Sequence, residues 1–379
     1  MTMNSQPVSS RADRPLSFEL ADYPVPQGTE EEWRFTPLER MSAFFASEAP
    51  GTAPSVRASH PQYVEQVSRE DQRLGTVLAP EDRVGALSWN SFTHAYVVTI
   101  PRDAVLAEEL TLTVTGTDRT QVAPLHIFFD VQANAQATIV LDHRGSAQLA
   151  EGIEISVGEG AHLTFVTIQN WDDDAVHTSS NRMQVSKDAQ VKHIVVSLGG
   201  DLIRVTTAAD FRGEGGDVNL LGAYFVDEGQ HIENRLFMDH NQPNCTSNAT
   251  YKGALQGKDA HSVWIGDVLI RPHAEGTDTY ELNRNLVLTE GARADSVPNL
   301  EIETGEIEGA GHASATGRFD DEQLFYLRSR GIPEDQARRL VVRGFFAELI
   351  NQIGVESVQK TLMDSIEKEL DLTMGHADD

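Results

Sequence analysis

Cysteine is nearly absent: the chain of 379 residues has one, Cys245. An intramolecular disulfide is therefore impossible, as is a structural zinc site built on several thiolates. An iron–sulfur cluster held by four cysteines of this chain alone is equally excluded. Basic residues are scarce too. Against 58 Asp+Glu stand 30 Lys+Arg, for a net charge of −28. That charge opposes binding to nucleic acid and to anionic membranes, both of which reward Lys/Arg patches. It favours solubility or a basic partner. No apolar run reaches the roughly 18 residues of a membrane helix. The start, MTMNSQPVSSRADRPLSFEL, lacks the apolar stretch of a secretory signal, so a cytoplasmic location is expected.

Catalytic signatures are missing as well. There is no Gly-x4-Gly-Lys-Ser/Thr loop, no Gly-x-Gly-x-x-Gly between strand and helix, and no Gly-x-Ser-x-Gly elbow. Paired acids occur, as at Glu301/Glu303 and Asp172/Asp173/Asp174. Glu301 and Glu303 alternate with Leu300 and Ile302, as the outward face of a strand does. A non-catalytic protein is expected; a carbohydrate-active β-helix enzyme is the alternative for such acids. His231, His240, His261 and His273 are spaced by 9, 21 and 12, which fits no metal template. Cys245 reads as a small buried residue.

What is present is β texture. From about residue 125 to 318, runs such as LHIFFDV, ATIVLD, HLTFVTI, VKHIVVSL and VWIGDVLI alternate with Gly, Asp and Asn. Earlier, AYVVTI and LTLTV are strand-like, and EEWRFTPLERMSAFF (31–45) reads as a short amphipathic helix. Residues 50–75 read as loop, and residues 1–30 as flexible. A weak repeat pairs an apolar residue with alanine four positions on: Val131/Ala135, Val157/Ala161, Val185/Ala189, Ile270/Ala274 and Leu288/Ala292. The starts 131, 157, 185 and 211 lie 26, 28 and 26 residues apart. Such a period in a purely β segment predicts stacked turns of a parallel β-helix; a β-sandwich is the competing architecture. Alternation points Glu154, Thr164, Thr167 and Lys192 outward.

After Gly317 the pattern becomes helical. Asp320/Asp321 stand at an N-cap position and Gly331 at a stop. Apolar residues then recur at Ala337, Val341, Phe345 and Leu349, and again at Val355, Val358, Leu362, Ile366 and Leu370. The expected division is an N-terminal mixed region (1–124), a β-helix core (125–318) and a C-terminal helical domain (319–379). The helices read as a docking arm on a self-contained β body.

One long stretch is distinctive: NRNLVLTEGARADSVPNLEIETGEIEGAGHASATGRFDDEQLFYLRSRGI. It strongly resembles the end of the core in the SufB/SufD scaffold family of the SUF iron–sulfur cluster assembly system. DHNQPNCTSNATYKG and, more weakly, EEWRFT resemble the family too. SufD-like chains often read Cys-Ser-His-Gly-Ala-Thr at the histidine-containing turn. Set against that without a gap, His312 falls on the histidine and Ala310 on the cysteine, so no thiolate is available there. LFYLRSRGI also favours the SufD branch.

The resemblance implies a β-helix core between an N-terminal region and C-terminal helices. It implies pairing with a SufB-like paralogue through the β-helix ends, or a homodimer when isolated. It implies a SufC-like ATPase on the C-terminal helices, for which Leu324, Phe325, Leu327, Val341 and Phe345 are the candidate contacts. A transient iron–sulfur cluster would form at the subunit seam, with His312 either ligating iron or hydrogen-bonding across the interface. An interaction subunit without any metal ligand is the further alternative.

Overall fold

The structure, a computed structural model, describes residues 10–319 and 321–374. Three short strands come first: β1 (Ser55–Ala58), β2 (Val64–Ser68) and β3 (His94–Ile100). Helix α1 (Arg83–Ser91) lies between the last two, its N-terminus capped by the Asp82 carboxylate accepting from Gly85 N–H at 2.8 Å. Two long strands follow, β4 (Leu110–Val131) and β5 (Gln136–Val157). Next are β6 (His162–Trp171), β7 (Val176–Val185), β8 (Gln190–Ser197), β9 (Leu202–Phe211), β10 (Asp217–Val226) and β11 (His231–His240). The last are β12 (Thr246–Leu255), β13 (His261–Ile270), β14 (Asp278–Val287), β15 (Arg293–Ile302) and β16 (Gly309–Arg318).

Pairing from β5 onward skips one strand each time. The order is β15-β13-β11-β9-β7-β5-β6-β8-β10-β12-β14-β16, with parallel neighbours throughout. This is the expected parallel solenoid, flattened into two faces of odd and even strands, with about eight turns. Its corners explain the alanine repeat. A residue with positive φ, such as Asn134, Gly160, Asp188 or Asp259, is followed by a fully buried alanine: Ala135, Ala161, Ala189 or Ala260. Asn and Asp tolerate that left-handed backbone, and alanine fits under the next turn. Asn244 and Cys245 occupy the same two positions, so Cys245 is an alanine-like corner residue, and burial pushes its thiol pKa up.

The interior holds one continuous apolar cluster that includes Ile127, Ile155, Phe165, Val205, Leu236 and Trp264. Two of the four residues expected to point outward do not meet solvent. Thr167 pairs with Leu141 and Val195, both interior, and points into the solenoid. Glu154 points out of the solenoid but lies under the N-terminal region, accepting hydrogen bonds from Gly75 N–H at 2.8 Å and Val77 N–H at 3.2 Å. Thr164 and Lys192 are half-buried. Both faces are covered, so alternation alone could not tell outside from exposed.

The N-terminal region seals the odd face. Residues 31–45 form two short 3-10 segments, rather than one amphipathic helix, and bury Trp33, Met41 and Phe44. Residues 50–75 include β1 and β2. Residues 10–30 are anchored, contrary to the flexible reading: the Tyr23 hydroxyl donates to Pro80 O at 2.6 Å and Ser17 N–H to the same carbonyl at 3.1 Å. Residues 1–9 lie outside the described residues.

Three helices end the chain: α2 (Asp321–Ser329), α3 (Glu334–Ile353) and α4 (Glu356–Met374). The expected cap residue Asp320 lies outside the described residues. Helices α3 and α4 share a core with the even sheet rather than standing off as an arm. Val342, Phe346, Leu349, Ile353, Val358, Leu362, Ile366 and Leu370 pack on Val166, Ile168, Ile194, Val196, Leu221 and Phe225. No described helix is long and apolar enough to cross a membrane.

Candidate functional site at the open end of the solenoid

A parallel solenoid satisfies each strand's hydrogen bonds through the turns on either side, so its last turn is left half-paired. Among the described residues β15 pairs only with β13 and β16 only with β14. Both strands, ten residues each, therefore present an outer edge with no neighbouring strand among the described residues. Uncovered edges of this length invite pairing with another chain. Exposed side chains flank the edges, among them Tyr280 and Ile302, each 45% exposed.

His312 sits on this edge. The Gly/Ala run around it is not a turn but the strand β16 itself. In register, Ala310 lies over Thr279, His312 over Glu281, Ser314 over Asn283 and Thr316 over Asn285. Thr279, Glu281, Asn283 and Asn285 are buried on one side of β14, so His312 occupies the interior column of the last turn. No further turn covers it, and it is exposed. Ala310 packs against the core instead.

Beneath His312 the column is polar. Asn283 Nδ2 donates to the Tyr224 hydroxyl at 2.9 Å, which donates to Asn285 Oδ1 at 2.6 Å. Asn285 Nδ2 donates to Asn283 Oδ1 at 2.8 Å and reaches Ser296 Oγ at 3.2 Å. Burial, with a smaller contribution from Asp267, pushes the Glu281 carboxyl up to about 8, so it is largely protonated at neutral pH. Its Oε2 has no hydrogen-bond partner. The mouth thus offers one exposed imidazole over a buried, polar floor.

Sequence reading missed a second cluster, at the other end of the interior. His143, Glu151 and His177 bring their ligating atoms within 4.8 Å of one another, all buried. The hydrogen bonds show what fills it. His143 Nδ1–H donates to Ile168 O at 3.1 Å and Nε2–H to Glu151 Oε1 at 2.9 Å, so this ring carries both protons. Burial opposes that charge, but the Glu151 carboxylate outweighs it and raises the His143 pKa. Trp171 Nε1–H donates to His177 Nδ1 at 3.1 Å, which leaves the proton on Nε2 to donate to Glu151 Oε2 at 3.2 Å. Neither ring keeps a lone pair for a metal. The triad is an ion pair sealed in the core, and only the pairing of β5 with β7 could have revealed it.

The other candidate contacts are spread over the C-terminal helices. Leu324 is buried, Leu327 half-buried, and Phe325 75% exposed beside Tyr326 at 56%. Val341 and Phe345 are half-buried against the helix–sheet core, where Lys252 lies 5.6 Å from the Phe345 ring centre. The fully buried helical positions are their neighbours Val342 and Phe346. Leu340, 46% exposed, is a further apolar residue on α3.

Residues 113–345 match the family described as "SUF system FeS cluster assembly, SufBD core domain". The chain belongs to the SufB/SufD family. An iron–sulfur cluster assembly SufBD family protein of Mycobacterium bovis is 53% identical over 366 residues, covering 94% of this chain and 92% of its own length. A counterpart in Mycobacterium leprae is 52% identical over 366 residues, with 94% and 93% covered. The iron–sulfur cluster assembly protein SufD of Escherichia coli is 26% identical over 382 residues, with 91% and 89% covered.

Proposed function

We propose that this chain is a SufD-like, non-catalytic scaffold subunit of iron–sulfur cluster assembly. It pairs with a SufB-like paralogue through the free edges of β15 and β16. The observation that carries this reading is the position of His312 on a terminal strand paired along one edge only, exposed in the interior column of the last turn. A partner edge docked there by strand addition brings its own side chains against the imidazole. Neutral imidazole ligates iron, and the nascent cluster is cargo at that seam. With one buried cysteine in this chain, any thiolates come from the partner. The same edges support a homodimer when the partner is missing.

Helix α2, with the exposed side of α3, gives the docking surface for a SufC-like ATPase. Phe325, Tyr326 and Leu340 are the exposed apolar anchors. Val341 and Phe345 play a smaller part because they already pack within the chain. Phe325→Ala, leaving the fold intact, is expected to weaken capture of the ATPase.

The deciding experiment is anaerobic reconstitution of the three-component complex with His312→Ala, counting iron and sulfide per complex. The complex is expected to assemble with reduced cluster loading. Normal loading would make His312 a hydrogen-bonding residue of a purely structural interface.

A further inference from the structure

Four side chains on the odd sheet form a line across three successive strands, from the charges under the N-terminal region to the open end. Glu233 and His231 stand on β11, His261 on β13 and Asp295 on β15. His231 and His261 are register partners one turn apart, which brings together two histidines 30 residues distant in sequence. Template spacing could not find them because the solenoid period separates them.

The contacts fix the protons. His231 Nε2 lies 3.3 Å from Glu233 Oε2, and His261 Nε2 lies 2.7 Å from Asp295 Oδ2. Each carboxylate calls for N–H on the ring nitrogen facing it. Glu233 also accepts from the Thr36 hydroxyl at 2.7 Å and from Arg204 Nε at 3.3 Å, and Asp295 accepts from Arg293 Nη2 at 3.0 Å, so both carboxylates face donors. With protons on both Nε2 atoms, two neutral rings aim bare Nδ1 lone pairs at each other across 3.1 Å. Two facing lone pairs repel. A positive charge between them relieves the repulsion, either a proton shared by the two rings or a metal ion.

We propose that His231 and His261 form a two-histidine site for an imidazole-preferring divalent ion of the zinc or cobalt type, bound by both Nδ1 atoms. Two nitrogens bound at 2.0–2.1 Å to a tetrahedral ion lie about 3.3 Å apart, close to the separation seen. A carboxylate on the far nitrogen of each ligand is the usual support of such sites, fixing tautomer and ring direction. His231 is buried, while the side chains of His261 and Asp295 are 21% and 20% exposed, so the site has a solvent side. Water completes the coordination there. The site shares β15 with the seam through Asp295 but does not include His312.

The test titrates the purified full-length chain with Co2+, then Zn2+, in excess Mg2+ to occupy surface carboxylates. Binding of one equivalent is expected, with visible cobalt absorption that Zn2+ abolishes. His261→Ala should remove the bound ion, and Asp295→Asn should weaken it about 10–100-fold. His312→Ala and His273→Ala should leave it unchanged, which separates this site from the cluster site. If wild type binds no ion, or if binding survives His261→Ala, the proposal fails. It fails equally if nitrogen NMR with Zn2+ present shows a proton still shared between the two Nδ1 atoms.

Discussion

The two faces of the solenoid are closed by different mixtures of charge and apolar packing: an apolar cluster of Trp33, Met41, Phe44 and Leu87 also covers the odd face, but beside it lie many buried charges. On the odd face, outward residues of β5, β7, β9 and β11 are charged: Glu154, Arg182, Arg204, Glu233 and Arg235, all buried. The N-terminal region meets them with Asp82, 2.6 Å from Arg204, with the Thr36 hydroxyl, 2.7 Å from Glu233, and with the Trp33 ring under the Arg204 guanidinium. On the even face, the outward residues under α3 and α4 are mainly Val, Ile, Leu and Phe, met by more of the same, with one buried cation, Lys252, paired to Glu348 at 2.9 Å. A charged seal admits one arrangement, because a shifted partner leaves a buried charge unmatched. An apolar seal tolerates volume-conserving change. The face that must hold one geometry is therefore the N-terminal one. The C-terminal helices are attached by contacts that place fewer demands on detail.

The largest expected effect breaks the charged seal. Glu233→Gln leaves Arg204 and Arg235 buried without their shared carboxylate, and a loss of about 3–5 kcal/mol is expected. Denaturant unfolding at neutral pH measures it; a loss below about 1 kcal/mol would place the two faces on equal terms. On the apolar face, Leu349→Ala should cost about 2–5 kcal/mol through lost burial and a cavity. Leu349→Met should cost less than about 1.5 kcal/mol, because the volume is kept. A similar loss from Met and Ala would mean this seal is as exacting as the charged one. The apolar seal also bears on truncation. A chain ending near Gly317 uncovers Val166, Ile168, Ile194, Val196 and Phe225 together. Such a fragment is expected to aggregate rather than stay soluble as a free β body.

A third effect is acid sensitivity inside the solenoid. Burial pushes His193 and His240 down from 6.5 to about 4. Both are thus neutral in the fold while the unfolded chain takes up protons below 6.5. The unfolded state binds more protons in that window, so stability falls as pH drops from about 6.5 to about 4. The slope contributed is at most about 1.4 kcal/mol per pH unit for each histidine. Both nitrogens of His193 lack partners, so His193→Leu should flatten the slope without weakening the fold at pH 7. An unchanged slope would assign the acid sensitivity to other groups.

Much of the fold could be read from strand texture and the alanine repeat, because each corner needs a small residue at a fixed place. The covering of the two faces could not. Period-two alternation separates the sides of a sheet, but it does not say which side water reaches. Glu154 and Val166 have opposite polarity, yet both point outward and both are buried. His312 was legible only through family resemblance, since a histidine among small residues has no physical signature of its own. The His143–Glu151–His177 triad and the His231–His261 pair were hidden because both depend on which strand stacks on which. Helical spacing did find α4, whose Val358, Leu362, Ile366 and Leu370 are all buried. On α3 it chose Val341 and Phe345 where the fully buried positions are one residue later.

The smallest effect on stability belongs to the open end. His126, on the sealed face, is fully buried, stacks on Phe92 at 4.5 Å and pairs with Glu154 at 2.8 Å. His126→Ala removes that packing and one partner of a buried carboxylate, so a loss of more than about 2 kcal/mol is expected. His312 has neither kind of support. It is exposed, on a strand paired along one edge only, and flanked by Gly311 and Ala313. His312→Ala should therefore change stability by no more than about 0.5 kcal/mol, as surface substitutions usually do. Thermal melts of the two variants beside the parent chain make the comparison directly. If His312→Ala melts as early as His126→Ala, the histidine at the mouth supports the fold itself. A deficit in cluster loading would then report unfolding rather than a lost ligand.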